Sequence, residues 1–240
     1  MEAKEIIQQL KEMSSDKFKQ NVVRMGIPEE NSIGVSTVML RKMVPKIGRS
    51  NELAWDLWNT GYHEAKLLAV LLMEKKKVTL DDVRKMMTQV YSWDLCDHIC
   101  KNLIIKIPGY QNLILEWCDN SNTYYRRAVF TLIASVSVHE KNVTEEEITS
   151  YLNLIKECSE DNREHVKKAV SWALREIGKI DYNYLERAIE TAQELKERSS
   201  KACQWIAKDA LKELETLVKV EGRTRLITSK SQMAKEQGLS

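Results

Sequence analysis

Proline and glycine are scarce in this chain, three and eight among 240 residues, and phenylalanine occurs only twice. So few turn formers cannot punctuate an all-β fold, whose hairpins call for glycine, proline and asparagine at close intervals. Ala, Leu, Lys, Glu and Met recur instead at helical spacing, so the expected class is all-α. Also missing is any uninterrupted apolar run long enough to span a bilayer. The opening MEAKEIIQQLKEM alternates charges with apolar residues and has no secretory h-region, so neither secretion nor membrane insertion is expected. A dominant charge sign is lacking as well, since 37 Lys and Arg oppose 35 Asp and Glu. A balance this even does not mark a nucleic-acid binder, because acids elsewhere can mask a basic face, and the distribution of charge has to be read instead. The five cysteines, Cys96, Cys100, Cys118, Cys158 and Cys203, follow neither zinc-ribbon nor CxxC spacing. They read as reduced thiols of a cytoplasmic protein.

Apolar periodicity predicts helices near 2–12, 15–25, 37–47, 51–59, 63–74, 79–90 and 93–105, and again near 109–118, 122–138, 144–158, 162–179, 183–196 and 199–218. Pro28, Gly61, Pro108-Gly109 and the acid-rich EDN at 160–162 fall between them, and no linker stands out. One repeat domain over residues 1–218 is therefore expected. Residues 219–240 follow as a basic, mobile tail, in which RTRLITSK lacks apolar periodicity.

Self-similarity is more informative. YRRAVFTLIA from Tyr125 recurs as VKKAVSWALR from Val166, placing Arg126-Arg127-Ala128-Val129 over Lys167-Lys168-Ala169-Val170 at an offset of 41, and SKACQWIAKDAL from Ser200 is a looser echo. HEAT and armadillo units run about 40–47 residues as helix pairs, so the chain would hold about six of them in an α-α superhelix. The small alanine would sit where neighbouring helices approach closely, and the basic pair before it would recur along one edge. Such pairs are either solvated helix starts or a stripe of cations along a concave face.

In SWDLCDHICKNL, Trp93 and Asp97 are four residues apart and share a helix face. Ser92 and Asp94 suit a helix start, where a side-chain oxygen accepts from free N–H groups. Asp97 lies a turn further in, among Leu95, Ile99, Cys100 and Leu103. Either Trp93 is core and Asp97 pairs with a basic residue of the next repeat, or the two line a binding surface. Cys96, His98 and Cys100 offer no second ligand pair and are read as buried groups, so no metal is expected. His63-Glu64 in YHEAKLL resembles half a zincin motif, but Leu67 stands where the second histidine belongs, so this pair is expected to brace the fold. Trp55, Trp58, Trp117 and Trp205 lie at helical spacing among aliphatic residues and are expected in the core.

Taken together, LWNTGYHEAKLLAVLL, SWDLCD, RRAVF and KKAVSWALREIGK, in that order, resemble the AlkD-type DNA alkylation repair family of HEAT-like-repeat alkylpurine DNA glycosylases, from about Gly34 to about Leu214. The resemblance implies a sugar-facing tryptophan at Trp93, a catalytic aspartate at Asp97, a second substrate-facing tryptophan at Trp172 and a backbone-contacting arginine at Arg127. Arg126, Lys167 and Lys168 would extend that DNA contact along the repeat edge. Double-stranded DNA is then the expected partner, with no cofactor and no obligate protein partner. The glycosylase branch carries a tyrosine on an N-terminal helix beside the lesion, whereas the first tyrosine here is Tyr62 and Met25 or a neighbour takes that place. This departure and the WDLCDHIC sequence point to a distinct subgroup, for which a non-catalytic binder of distorted or branched DNA is the alternative.

The implied chemistry is modest. An N3- or N7-alkylated purine is cationic, so it departs as a neutral base and leaves a sugar with oxocarbenium character. A carboxylate ~4 Å from that cation, at an effective dielectric near ~20, supplies about 4 kcal/mol, roughly a thousandfold in rate. Trp93 and Trp172 would hold the sugar and lesion by apolar and cation–π contact.

Overall fold

The computed structural model describes residues 2–140 and 142–239. Its contacts divide the chain into two compact units, one ending at Tyr110 and the other starting at Gln111. The division falls just after Pro108-Gly109, where the sequence suggested only a connection between repeats.

The first unit runs α1 (Ala3–Glu12), α2 (Asp16–Arg24), α3 (Thr37–Ile47), α4 (Asn51–Asn59), α5 (His63–Leu72), α6 (Leu80–Met87) and α7 (Trp93–Asn102). The helix starts are written in short polar side chains. Ser36 accepts from the Met39 N–H and Ser50 from Leu53, while Thr79 and Asp82 form a reciprocal capping box at the start of α6. Helix α5 is the centre of this unit, packing against α3, α4 and α7. Every one of its residues is buried, including His63, Glu64 and Lys66. A helix buried all round needs internal partners for its charges, and these set up the site described below.

The second unit contains α8 (Gln111–Trp117), α9 (Thr123–His139), α10 (Glu145–Cys158), α11 (Glu164–Gly178), α12 (Tyr182–Glu197), α13 (Lys201–Leu214) and the short α14 (Gln232–Glu236). Helices α9, α11 and α13 pack side by side, and each is backed by the helix before it. This is the helix-pair stack that the RRAVF/KKAVS recurrence implies, with Ala128, Ala169 and Ala202 buried where the helices meet. Gly178 marks the tightest approach, since a Cβ there would lie 3.2 Å from Ala188 Cβ and collide with the Leu214 side chain.

Residues beyond 218 differ from the expected mobile tail. Leu217 and Val218 pair antiparallel with Thr228 and Ile227, and Val220, Leu226 and Ala234 are buried. The Leu226 N–H donates to the Lys179 carbonyl at 2.9 Å, and Arg225 Nη2 reaches Glu176 Oε2 at 2.8 Å. This segment is therefore packed against the C-terminal end of α11.

Candidate functional site

The site is built from α5 outward. Glu64, buried, accepts the backbone N–H groups of Ile33 at 2.9 Å, Gly34 at 2.6 Å and Val35 at 3.3 Å, pinning the segment between α2 and α3. Gly34 has φ +99°, and a Cβ there would stand 2.7 Å from the Ser15 carbonyl oxygen, so the carboxylate cradle requires glycine. Lys66, 4% exposed, places its ammonium 5.1 Å from the centroid of Trp58 and 5.0 Å from that of Tyr91, and donates to the Gln89 carbonyl at 3.3 Å. Burial lowers its pKa, and burial together with the charges of Asp94 and Glu64 pushes the Tyr91 phenol up to about 12. The bracing role expected of His63-Glu64 is thus what the geometry gives.

Helix α7 docks on α5 through two polar contacts of equal sequence separation. His63 Nε2 lies 2.7 Å from Asp94 Oδ2, and His98 Nε2 lies 3.0 Å from the Leu67 carbonyl. Residues 63 and 67 form one i,i+4 stripe of α5, and 94 and 98 form the matching stripe of α7. Burial opposes ionisation of Asp94, but the hydrogen bond and charge of His63, joined by Ser92 and the Leu95 N–H, hold its carboxyl below the ordinary carboxylate value. Burial lowers His98 to about 4, so near neutral pH the imidazole is uncharged and its Nε2–H donates to Leu67. The Ser92 side chain makes no cap hydrogen bond, and Asp94, expected simply to start the helix, is the hydrogen-bond partner of a histidine 31 residues earlier.

Locking the 94/98 stripe determines where its neighbour goes. Trp93 and Asp97 lie one residue back, about 100° around the helix. Trp93 is half-buried as the first residue of α7, and Asp97 is 8% exposed one turn further on.

The expected DNA-contacting cations all belong to the second unit, and each has a protein partner. Arg127 is 7% exposed and its Nη1 donates to the His165 carbonyl at 2.7 Å, joining α9 to the first turn of α11. Arg126 Nε is 3.4 Å from Asp161 Oδ2, a carboxylate that Arg163 also grips at 2.6 Å. Lys167 and Lys168 both reach Glu164, at 2.7 and 2.9 Å, and their hydrogen bonds take this exposed carboxyl down to about 2. The repeat equivalence is therefore one of position and not of environment, because Arg127 is buried while its counterpart Lys168 has a side chain 55% exposed. Trp172 is half-buried, one turn beyond Lys168 on α11.

Trp58 and Trp117 are core residues as expected, whereas Trp205 and Trp55 are half-buried under cations. Lys167 Nζ stands 4.7 Å from the Trp205 centroid, and Lys85 Nζ stands 4.9 Å from that of Trp55. The signal for Trp205 was present in the sequence, since KACQW echoes KAVSW and sets Trp205 over Trp172. Among the described residues no group of three or more His, Cys, Asp or Glu side chains is placed to hold a metal ion. No helix among them is long and apolar enough to cross a membrane.

Stacked helix pairs, in which α9, α11 and α13 pack side by side and each is backed by the helix before it, define an all-α repeat protein of HEAT-like type. The chain belongs to the DNA alkylation repair enzyme family, whose pattern matches residues 6–214. Among solved structures it is similar to a protein described as one of a new family related to the HEAT-like repeat DNA glycosylases with affinity for branched DNA structures. That similarity has a TM-score of 0.72 at 20% identity and covers 99% of this chain and 94% of the other. It establishes the HEAT-like repeat fold expected from the sequence. A designed armadillo repeat protein in complex with a (KR)4 peptide aligns with a TM-score of 0.37 at 15% identity, over 82% of this chain and 99% of its own. No curated protein matches the chain.

Proposed function

We propose that this protein binds duplex DNA through the basic edge of α9 and α11 and hydrolyses the N-glycosidic bond of cationic N3- or N7-alkylated purines. Asp97 would stabilise the sugar cation and orient the attacking water, Trp93 and Trp172 would hold the sugar and lesion, and Arg127, Arg126, Lys167 and Lys168 would set the phosphate register. The observation that carries this reading is the docking of α7, which holds a buried Asp97 beside a half-buried Trp93 on a helix fixed by His63 and Leu67. Its neighbours cannot act as general acids near neutral pH. Asp94 is kept ionised by His63, and His98 is neutral with a pKa of about 4. Excision is therefore confined to lesions that leave without protonation, and neutral bases such as hypoxanthine and uracil should stay in place.

Asp97→Asn should slow release of 7-methylguanine from methylated duplex by about a hundredfold to a thousandfold. Its duplex affinity should match wild type, and equal release rates in the two proteins would remove Asp97 from the chemistry. A second reading, non-catalytic recognition of branched DNA, is favoured by the absence of any tyrosine before Tyr62 and by the described affinity of the structural relative. Wild-type protein that binds duplex or junction DNA yet releases no alkylated base would establish it.

A further inference from the structure

The first unit gathers four cations that neither the repeat pattern nor the proposed site uses. Arg41 lies on α3, and Arg49 lies in the connection from α3 to α4. Lys75 opens the 3₁₀ turn Lys75–Lys77 after α5, and Lys106 closes the 3₁₀ turn Ile104–Lys106 after α7. Backbone ties bring these ends together. The Ser50 N–H donates to the Leu72 carbonyl at 3.1 Å, and the Glu74 N–H donates to Asn51 Oδ1 at 2.7 Å, which sets Arg49 beside Lys75. Arg41 Nη2 bonds Asn102 Oδ1 at 3.1 Å, which sets the α3 cation against the end of α7 that leads into Lys106. The cluster therefore joins Arg49, Lys75 and Lys106, which follow the C-terminal ends of α3, α5 and α7, to Arg41 within α3.

Its internal balance is unfavourable. The charged groups acting on Lys75 are Arg49, Lys106 and Arg41, all of the same sign, and half-burial plus this repulsion lowers the pKa of its ammonium. No carboxylate among the described residues forms an ion pair with Arg41, Arg49, Lys75 or Lys106. The nearby Glu74 is paired with Lys77 at 2.8 Å instead. Cations at helix C-termini are stabilised by the macrodipole. That accounts for one cation per helix end but not for their convergence on a half-buried Lys75. The basic edge of the second unit is the contrast, since Asp161 and Glu164 neutralise it internally.

We infer that Arg41, Arg49, Lys75 and Lys106 form a phosphate-binding face of the first unit that takes the backbone of DNA, in addition to the contacts of α9 and α11. The inference rests on the reading of this protein as a DNA binder but not on its chemistry at Asp97. Backbone phosphates are anions of regular spacing that several fixed cations can neutralise at once, and counterion release then drives binding. Bringing an anion to the cluster also relieves the repulsion around Lys75.

The test compares Lys75→Gln/Lys106→Gln with Lys167→Gln/Lys168→Gln in full-length protein, on a linear duplex and on a four-way junction, across a salt series. The first variant should lose about tenfold or more in junction affinity and flatten the log–log salt slope by about two units. Its melting temperature in phosphate-free, low-salt buffer should equal or exceed that of wild type, because repulsion is removed. Junction affinity and slope unchanged from wild type would overturn the inference, as would a melting temperature well below wild type. Displacement of the junction by micromolar tripolyphosphate would assign the face to a free polyphosphate and overturn the DNA assignment. If wild type releases no alkylated base while the salt-slope change persists, the excision reading fails and this one stands. If wild type releases alkylated base while the Lys75/Lys106 variant leaves the salt slope unchanged, the excision reading stands and this one fails.

Discussion

Two helix junctions solve the same packing problem differently. Where α7 meets α5, the polar links are specific, with His63 on Asp94 and neutral His98 on the Leu67 carbonyl, and on the other side of α5 Glu64 holds three backbone N–H groups of the segment between α2 and α3. Where α11 meets α9, one buried arginine reaches the His165 carbonyl and the remaining cations sit in ion pairs with Asp161 and Glu164. Buried polar groups are costly to leave unpaired, so the first junction permits one placement of α7. The exposed pair Lys168–Glu164 belongs to a class that contributes about 0–1 kcal/mol, so this cation can pass to an incoming phosphate at small cost, whereas Arg126 is held by the largely buried Asp161. Rigidity thus accompanies the carboxylate proposed for chemistry, and exchangeability accompanies Lys168 among the cations proposed for the DNA backbone.

The contrast can be broken most severely at Glu64. Glu64→Ala strips the acceptor from three buried N–H groups and should cost about 3–5 kcal/mol in urea unfolding, with secondary loss of any activity that depends on α7. A cost below 1 kcal/mol would show that water replaces the carboxylate and that the segment between α2 and α3 is not held by it.

Acid should separate the junctions next. His98 titrates at about 4 in the folded chain against about 6.5 unfolded, so between these values the unfolded state binds more protons and stability falls as pH falls. From pH 7 to pH 5 this amounts to about 2 kcal/mol, complete at about 3 kcal/mol below pH 4. Asp94, with its folded pKa below the ordinary carboxylate value, adds a further loss only at still lower pH. A His98→Asn variant whose stability falls just as steeply between pH 7 and pH 5 would move the effect elsewhere.

The smallest effects lie at the α9–α11 edge and sharpen the comparison. Lys168→Ala should change stability by less than about 0.5 kcal/mol while flattening the salt slope of duplex binding by about one unit. Arg127→Ala, which abandons the His165 carbonyl, should cost about 1–3 kcal/mol in stability. If Lys168→Ala proves the more destabilising of the two, exposure does not decide which cation is structural.

The helices were the most legible part of the molecule. Predicted spans 37–47 and 51–59 coincide with Thr37–Ile47 and Asn51–Asn59, because Ser36 and Ser50 announce the starts and the apolar period carries the rest. The recurrence of RRAVF as KKAVS exposed the repeat, since close helix packing demands the same small residue at the same place. The Trp93/Asp97 stripe was visible too, being an i,i+4 relation within one helix. Illegible were the partners. Nothing local links His63 to Asp94, Lys75 to Lys106 or Arg225 to Glu176, which are separated by 31, 31 and 49 residues.

Local physics therefore determined the secondary structure, the repeat and the candidate residues, because helical period, capping and small-residue spacing act within a few turns of chain. Tertiary structure alone decided which charges are neutralised and which face an open surface. Arg126-Arg127 and Lys167-Lys168 look alike in the sequence, yet one of the four cations is buried on a carbonyl, three are paired with acids, and the unheralded Arg41, Arg49, Lys75 and Lys106 cluster without any. Electrostatic environment depends on groups brought together by packing over tens of residues, and no periodicity within a single helix records it.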